Sequence, residues 1–315
     1  MSELPEPINH TVSRIYEALM KGVGGSGDSA GVPMSDVVNP CDRAIWYSFR
    51  WASPAKAEDG PTLSRFKTGE TWELRLLDDL VAIGCEVMRR DPATGRQYSA
   101  VLADGHLRGK IDALATGIPE APVTRHVVEC KSLKAEKWRK IVKHGLAIGN
   151  ADHYAQCQLY MRALGIERAL YLAVNKDTDE LHAERIPCDP IMAAAIEARI
   201  LRIVHLDEPP SRLHDDPASK SAWQCGFCRH KAVCHEKAFA RVNCRTCLHA
   251  TVWIPFKCEG LSLMLTWDSQ QKGCKHHRYI PALVPGEQID VADGDLIIYR
   301  LHDETLWIDG ARDSA

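Results

Sequence analysis

The sequence predicts an α/β fold in which a mixed β-sheet is flanked by helices. Strand-like runs alternate with segments whose apolar residues have helical spacing along 10–205. Cysteines then cluster toward the C-terminus, and the last segment, 285–309, alternates like a β-hairpin. The prediction is therefore a central mixed sheet followed by a small metal-binding module that contains β-hairpins.

The order of the elements follows from these periodicities. Helices are predicted over 10–22, 35–51, 63–81, 134–146, 150–164 and 189–205, with Ser35 or Asp36 as the cap of the second. Strands are predicted over 84–89, 97–103, 107–115, 124–130, 168–175 and 180–186. The three prolines of 206–221 indicate a linker. We expect two domains, 1–238 and 239–315.

Composition limits the class of protein. The chain has 315 residues, 45% of them hydrophobic, which is typical of a globular protein of roughly two domains. No run of eighteen apolar residues exists, and the N-terminus lacks the pattern of a signal peptide, so we expect a cytoplasmic protein without a membrane partner. The net charge of −3 neither indicates nor excludes nucleic-acid binding. However, the run 125–143 carries seven Lys or Arg against two Glu.

Asp112, Glu129 and Lys131 form the most informative pattern. Asp112 lies in one strand-like run, and Glu129 and Lys131 lie two apart in the next, so the latter two share a face of their strand. Two carboxylates and a lysine between neighbouring strands suit a divalent-metal phosphodiesterase, in which the acids hold the metal and the lysine positions water. The alternative is a surface ion pair on a strand edge.

Gln156 and Tyr160 follow on a predicted helix. Positions four apart share a helix face, so their amide and hydroxyl are placed to contact a phosphate or to orient Lys131. His153, three residues earlier, lies on the same side. The alternative is a helix whose tyrosine packs in the core.

Twelve cysteines without a secretory signal favour metal over disulfides. One set consists of Cys225, Cys228 and Cys234, with Cys41 as the fourth ligand of a tetrahedral site; zinc with His230 or His235 is the competing interpretation. The second set resembles a zinc ribbon. It consists of Cys244, Cys247, Cys258 and Cys274, with His277 as an alternative ligand and His249 and His276 as competitors.

Between about Cys41 and Cys234 the chain resembles the PD-(D/E)XK nuclease superfamily, specifically its RecB-like exonuclease branch, which includes phage and CRISPR-associated nucleases. Asp112 matches the aspartate of the second motif, Glu129 and Lys131 match the (D/E)-x-K element, and Gln156 with Tyr160 matches the Q-x-x-x-Y motif. Glu73 matches the first motif, where many relatives carry His; Glu70 competes for this role.

The resemblance implies a restriction-endonuclease-like fold and a set of cofactors. Mg²⁺ or Mn²⁺ is expected on Glu73, Asp112, Glu129 and the Cys130 backbone carbonyl, with Lys131 orienting the attacking water. One cysteine before the nuclease core and three after it resemble the iron–sulfur branch, which implies a structural 4Fe–4S cluster on Cys41, Cys225, Cys228 and Cys234.

The implied activity is a DNA exonuclease of phage or bacterial recombination or repair. Its substrate would be single-stranded DNA or duplex ends, and its setting a bacterial or phage-infected cell. A recombinase, an annealing protein or a helicase are possible partners. A structure-specific or nonspecific endonuclease is the alternative enzyme. A non-catalytic DNA-binding or assembly protein that retains the fold is the alternative outside enzymes.

Overall fold

A computed structural model describes residues 10–22, 28–55, 57–292 and 296–310. The chain divides into two compact units. The first holds the described parts of Met1–Asp28, Lys56–Ala100 and Lys110–Pro190, and the second holds the described parts of Ser29–Ala55, Val101–Gly109 and Ile191–Ala315. The expected boundary between residues 238 and 239 lies within the second unit, and it stays a prediction about domains.

Helices and strands alternate in the predicted order. The helices are α1 His10–Lys21, α2 Asp42–Phe49, α3 Gly60–Ala82, α4 Ala135–His144, α5 Leu146–Gly149, α6 Ala151–Leu164, α7 Pro190–Val204, α8 Trp223–Gly226, α9 Lys231–His235 and α10 Trp267–Lys272. The strands are β1 Val32–Pro33, β2 Glu86–Met88, β3 Ser99–Leu102, β4 Leu107–Lys110, β5 Ala113–Thr116, β6 His126–Leu133, β7 Arg168–Asn175, β8 Leu181–Pro187, β9 Ala250–Thr251, β10 Lys257–Cys258, β11 Leu263–Met264, β12 Gly286–Ala292, β13 Leu296–Leu301 and β14 Leu306–Asp309.

A five-stranded mixed sheet organises the first unit, in the order β2-β5-β6-β7-β8. Strands β6 and β7 are parallel, and the other neighbours are antiparallel. Parallel neighbours need a crossover connection, which α4, α5 and α6 supply between β6 and β7. The predicted fold class, a mixed central sheet flanked by helices, is confirmed.

The two faces of β6 have different surroundings. Val128 and Cys130 belong to the apolar core, together with leucines of α3. Side chains alternate between the faces of a strand, so Glu129 and Lys131 point to the opposite face. Helix α6 contacts both β6 and β7, and its Cys157 lies within electrostatic reach of Glu129. The polar face of β6 is therefore the face that α6 covers.

Helix α2 begins later than the prediction of a helix over 35–51. Pro40 has no N–H and disfavours helical backbone at the residue before it. Cys41 is extended, with φ −95° and ψ 100°, and forms the N-cap of a helix that runs only from Asp42 to Phe49. The predicted start at residue 35 is therefore wrong, and Cys41 lies just outside the helix.

The strand predicted over 107–115 is two strands. Strand β4 ends at Lys110 and β5 begins at Ala113, so Ile111 and Asp112 lie in the break between them. The predicted helix over 134–146 is similarly divided at Gly145, whose φ of 75° favours glycine. Asp112 is thus carried by a break in the chain direction rather than by a continuous strand.

Arg245 lies at the centre of the packing in the second unit. Its guanidinium carbon is 3.7 Å from the centre of the Trp51 ring and 4.6 Å from that of Phe256. It also donates a 2.9 Å hydrogen bond to the carbonyl of Phe49. A planar guanidinium both stacks on aromatic rings and donates in its plane, so one side chain joins segments that are far apart in sequence.

Two small antiparallel sheets complete the second unit. Their orders are β11-β10-β9 and β12-β13-β14. The predicted C-terminal hairpin is confirmed as β12 with β13, and β14 adds a third strand. In the same unit β1 pairs in parallel with β4. None of the helices in the described ranges has the length and apolar character needed to span a bilayer.

Candidate active site and metal centres

Glu129 and Lys131 meet on the polar face of β6. The Glu129 side chain is fully buried, with 0% of its surface exposed, and the Lys131 side chain is 27% exposed. The Lys131 Nζ donates to the Glu129 Oε1. Two residues apart on a strand share a face, so the contact follows directly from the strand period.

Asp112 joins this pair through the backbone of β6. Its Oδ2 accepts a 2.8 Å hydrogen bond from the N–H of Cys130. The adjoining strand β5 pairs with β6 so that Ala113 lies beside Val128. The break before β5 therefore holds the Asp112 carboxylate next to the residues that flank Cys130.

Glu73 approaches the same place from α3. Burial, followed by the charge of Asp112, raises the pKa of Glu73, while the ammonium of Lys131 lowers it. Glu73 is half-buried, whereas Glu70 is exposed. We call Glu73, Asp112, Glu129 and Lys131 the acidic site; of the two competing glutamates, Glu73 is the one that lies within it.

The electrostatics of the acidic site suit a divalent cation. Burial raises the pKa of Glu129 to about 7 and also raises the pKa of Asp112, although Lys131 opposes both shifts. Burial lowers the pKa of Lys131, but the neighbouring carboxylates outweigh it and the net shift is upward. When all four groups are ionised, three carboxylates face one ammonium, which leaves an excess of two negative charges. The buried Oε2 of Glu129 has no hydrogen-bond partner among the described residues.

Gln156 and Tyr160 lie beside the acidic site on α6. The Gln156 Nε2 donates a 2.7 Å hydrogen bond to the Tyr160 hydroxyl, which confirms that the two share a helix face. Tyr160 is buried, and burial followed by the charge of Glu129 raises the pKa of its hydroxyl. The expected contact with a phosphate stays a prediction.

His153 lies on the same face of α6 as Gln156, one turn earlier. Its Nδ1 is 2.8 Å from the hydroxyl of Tyr171, which neighbours Glu129 in the sheet, and 3.2 Å from the amide nitrogen of Asn150. The sequence offers no indication of Tyr171, because a tyrosine in an apolar strand has the pattern of an ordinary core residue. Asn150 shows only the pattern of a helix cap.

Three of the four thiols of the first cysteine set share a cavity of the second unit, whereas Cys234 lines a different cavity. Cys41, Cys225 and Cys228 line a cavity of about 420 Å³. Burial raises the pKa of Cys228, and negative charge on Cys41, Cys234 and Cys225 raises it further, while the N–H of His230 donates to its sulfur. Cys225 and Cys228 therefore each lie within electrostatic reach of the other three thiols, and a backbone donor stabilises Cys228 as thiolate.

His230, one of the two competing zinc ligands, has both ring nitrogens hydrogen-bonded within the protein. It is 1% exposed, and its ring nitrogens lie 2.9 Å from the hydroxyls of Ser48 and Ser53. Both nitrogens are thus already hydrogen-bonded. His235 is half-buried and keeps its place as the other competing ligand.

The second cysteine set also lines one cavity, of about 280 Å³. Its lining includes Cys244, Cys247, Cys258 and Cys274, together with His249, His276 and His277. Backbone N–H groups of Arg278 and His249 donate to the sulfur of Cys247, and that of Gly273 donates to Cys244. Donors aimed at sulfur favour the thiolate form that zinc binds. The buried His277 has its Nε2 3.3 Å from the Thr246 hydroxyl.

The thiols and carboxylates converge without forming finished coordination shells. Within the described ranges, no group of three or more His, Cys, Asp or Glu side chains is arranged to hold a metal ion as it stands. The donor types fit the expected metals, since thiolates suit an iron–sulfur cluster or zinc and carboxylates suit Mg²⁺ or Mn²⁺.

Comparison with known protein families and with curated proteins gives no match. Among solved structures, the chain is similar to an alkaline exonuclease from Laribacter hongkongensis, with 15% identity, a TM-score of 0.39, and coverage of 60% of this chain and 90% of that one. The same enzyme in complex with dAMP gives 13% identity, a TM-score of 0.39, and coverage of 61% and 90%. A phage-related exonuclease from Haemophilus somnus 129PT gives 13% identity, a TM-score of 0.30, and coverage of 44% and 68%. Identities and TM-scores this low carry no argument about function, so the chemistry of this chain rests on its own residues.

Proposed function

We propose that this chain is a metal-dependent nuclease that hydrolyses phosphodiester bonds in DNA, as an exonuclease of phage or bacterial recombination or repair. The acidic site is the observation that supports the proposal. Three carboxyl groups lie around one lysine, and the four groups together carry a net charge of −2 when all are ionised. In addition, a buried Glu129 oxygen lacks a hydrogen-bond partner among the described residues. A divalent cation removes both the excess charge and the unsatisfied oxygen.

In this proposal Asp112 and Glu129 hold Mg²⁺ or Mn²⁺, with Glu73 and the Cys130 carbonyl as further oxygen ligands. When bound, the ion supplies charge neutralisation of the scissile phosphate and acidification of a water. Asp112 already has one oxygen fixed by the Cys130 N–H, so its other oxygen is oriented for a ligand role.

Lys131 orients the attacking water. Its ammonium stays charged at neutral pH, because the neighbouring carboxylates raise its pKa. It would therefore donate a hydrogen bond to the water that attacks phosphorus in line with the leaving 3′ oxygen. In the same proposal Gln156, whose amide donates to the Tyr160 hydroxyl, uses its second N–H to contact the DNA backbone.

The test compares Asp112→Asn and Lys131→Ala with two control variants on exposed positions of α3, Asp79→Asn and Lys67→Ala. Labelled linear DNA, single- and double-stranded, is incubated with Mg²⁺, with Mn²⁺ or with EDTA. We expect the two site variants to lose cleavage, the controls to keep it, and EDTA to abolish it. Full activity of both site variants would contradict the proposal.

A circular single-stranded substrate decides between exonuclease and endonuclease, since only an endonuclease cuts DNA that has no end. We expect the circle to stay intact while the linear form is degraded. Cleavage of the circle would retain the nuclease assignment and replace the exonuclease part of it.

We further propose that Cys41, Cys225, Cys228 and Cys234 hold a structural 4Fe–4S cluster, and that Cys244, Cys247, Cys258 and Cys274 hold zinc in a module over 239–315. Three thiols of the first set line one cavity, and Cys234 lies within electrostatic reach of two of them, Cys225 and Cys228. All four thiols of the second set line another cavity. These placements support the proposal, as do the backbone N–H groups that donate to Cys228, Cys244 and Cys247. The cluster would close the nuclease core rather than transfer electrons.

Anaerobic purification with metal analysis tests both assignments. We expect a brown protein with about four irons per chain and about one zinc. Cys228→Ser should lower iron and leave zinc, and Cys247→Ser should do the reverse. Cys188→Ser, a half-buried cysteine outside both sets, is the matched control and should keep both metals. Zinc at both places would replace the cluster assignment.

A further inference from the structure

His153 has one ring nitrogen held by the protein and one that is not. Among the described residues, hydrogen bonds to this ring reach only Nδ1, from the Asn150 amide nitrogen at 3.2 Å and the Tyr171 hydroxyl at 2.8 Å. Which nitrogen carries the proton therefore depends on whether these two partners donate or accept.

The orientation of Asn150 settles the first partner. Asn150 is the N-cap of α6, and its Oδ1 accepts the backbone N–H of His153 at 3.3 Å. Since the carbonyl oxygen is used by the cap, the group facing the ring is the NH₂, which has no acceptor capacity. Nδ1 of His153 must therefore be the acceptor, and it carries no proton.

Tyr171 is consistent with the same assignment. Its side chain is fully buried, and burial raises the pKa of the hydroxyl, so the phenol stays protonated. Facing an unprotonated Nδ1, the hydroxyl donates. The neutral ring then has its proton on Nε2, and two neighbours hold it in that tautomer.

The ring lies within electrostatic reach of Lys131 in the acidic site and of Lys137 on the basic helix α4. Burial, followed by the charges of Lys131 and of Lys137 on α4, lowers the pKa of His153 to about 3. The ring is therefore neutral at any working pH and within electrostatic reach of both lysines. His153, Gln156 and Tyr160 occupy positions at intervals of three and four on α6, so they follow one stripe along the helix.

We propose that the Nε2–H of His153 is a fixed, uncharged donor to a non-bridging phosphate oxygen of the DNA backbone next to the acidic site. This inference rests on the proposed nuclease function. A neutral imidazole donates a hydrogen bond to phosphate but does not give up its proton during the reaction. His153 is therefore a positioning residue rather than a general acid. The two lysines attract the backbone, and the fixed N–H direction sets where one phosphate oxygen lies.

The tautomer is tested without any cleavage assay. A long-range ¹H–¹⁵N spectrum of ¹⁵N-histidine protein distinguishes a protonated Nε2 from a protonated Nδ1. We expect Nε2–H in the wild type. In Asn150→Asp the carboxylate keeps the cap but presents only acceptors to the ring, so we expect Nδ1 to become protonated. A wild-type ring with its proton on Nδ1 overturns the inference.

The DNA contact is tested by binding in an Asp112→Asn background with Ca²⁺, using a single-stranded oligonucleotide. His153→Asn removes a donor at the Nε2 position, whereas His153→Gln places an amide N–H near it. We expect His153→Asn to weaken binding by about 10-fold to 100-fold, the range of a hydrogen bond to a charged group. His153→Gln should recover most of this loss, and His302→Asn, exposed in the second unit, is the control.

The outcomes separate this inference from the function on which it rests. If the parent protein binds no DNA and wild type cleaves none, the nuclease proposal fails. If the parent binds DNA and His153→Asn binds equally well, only the role of His153 fails. Equal loss in His153→Asn and His153→Gln, with an unchanged melting temperature, also contradicts a donor role.

Discussion

The Oδ2 of Asp112 accepts a 2.8 Å hydrogen bond from the backbone N–H of Cys130, one residue from each of the two functional side chains of β6. The hydrogen bond fixes the carboxylate to the strand that carries Glu129 and Lys131. It also gives Asp112 two separable roles, one in satisfying a buried backbone donor and one in presenting an oxygen to a metal.

Asn and Ala at position 112 should therefore differ in stability but not in activity. Asp112→Asn keeps an acceptor for Cys130, whereas Asp112→Ala leaves that buried N–H unpaired, at a cost of about 1–3 kcal/mol. We expect both variants to lose metal-dependent cleavage and only Asp112→Ala to unfold at lower urea. Equal destabilisation of the two would show that the hydrogen bond contributes little.

The metal-free protein should become less stable as pH rises through the range in which Glu129 ionises. Burial raises the pKa of Glu129 from 4.5 to about 7, so the folded state binds more protons than the unfolded state between those values. This contribution of Glu129 to the free energy of unfolding is fully present below pH 4.5. It is lost as the pH rises through about 7, and its size is up to about 3 kcal/mol. Burial shifts the pKa values of Asp112 and Glu73 in the same direction.

Urea unfolding in EDTA at pH 5 and pH 8, for the wild type and Glu129→Gln, measures this effect. The variant should lose most of the decline with pH, because the glutamine does not ionise. Added Mg²⁺ should stabilise the wild type more at pH 8 than at pH 5. Parallel pH profiles for the two proteins would contradict the assignment to Glu129.

His230 should matter for stability and His235 should not. Burial lowers the pKa of His230 to about 3, so the ring is neutral and bridges Ser48 and Ser53. His230→Ala leaves both hydroxyls without this partner, and we expect a loss of about 1–3 kcal/mol in unfolding free energy. His235→Ala is the control for stability. Its iron and zinc content also tests whether His235 is a ligand, because loss of metal from this variant would support the competing zinc interpretation.

Arg245→Lys should destabilise the second unit although it conserves charge. The guanidinium stacks on Trp51 at 3.7 Å and hydrogen-bonds the Phe49 carbonyl and Gln270, and an ammonium cannot reproduce this planar arrangement. We expect a loss of at least about 2 kcal/mol, as for other broken buried networks. The exposed Arg65→Lys on α3 is the matched control, and equal unfolding midpoints for both variants would contradict this role.

The sequence predicted best where one local period decides the structure. Strand β7 has the predicted bounds, and the two-residue spacing placed Glu129 and Lys131 on one face. It predicted less well where one residue interrupts a pattern. Pro40 moves the start of α2, and the chain breaks at Asp112 although the apolar alternation continues through it.

Other features depend on tertiary neighbours that no period reveals. The two serines that hydrogen-bond His230 lie 182 and 177 residues before it, so the spacing of the cysteines gives no sign that its ring nitrogens already have partners. Tyr171 likewise has the sequence pattern of an ordinary buried strand tyrosine, and only the folded structure shows that its hydroxyl contacts His153.

The second unit is built from three separate stretches of chain, and this has a consequence for its biosynthesis. Residues 29–55 carry the apolar side chains of α2 and leave the ribosome well before their partners in Ile191–Ala315. Cys41 consequently has none of the other thiols of its set beside it until the stretch 225–234 has been synthesised. A nascent chain that stalls before this stretch exposes the aromatic side chains of α2 without their partners, and we expect such a chain to depend on a chaperone.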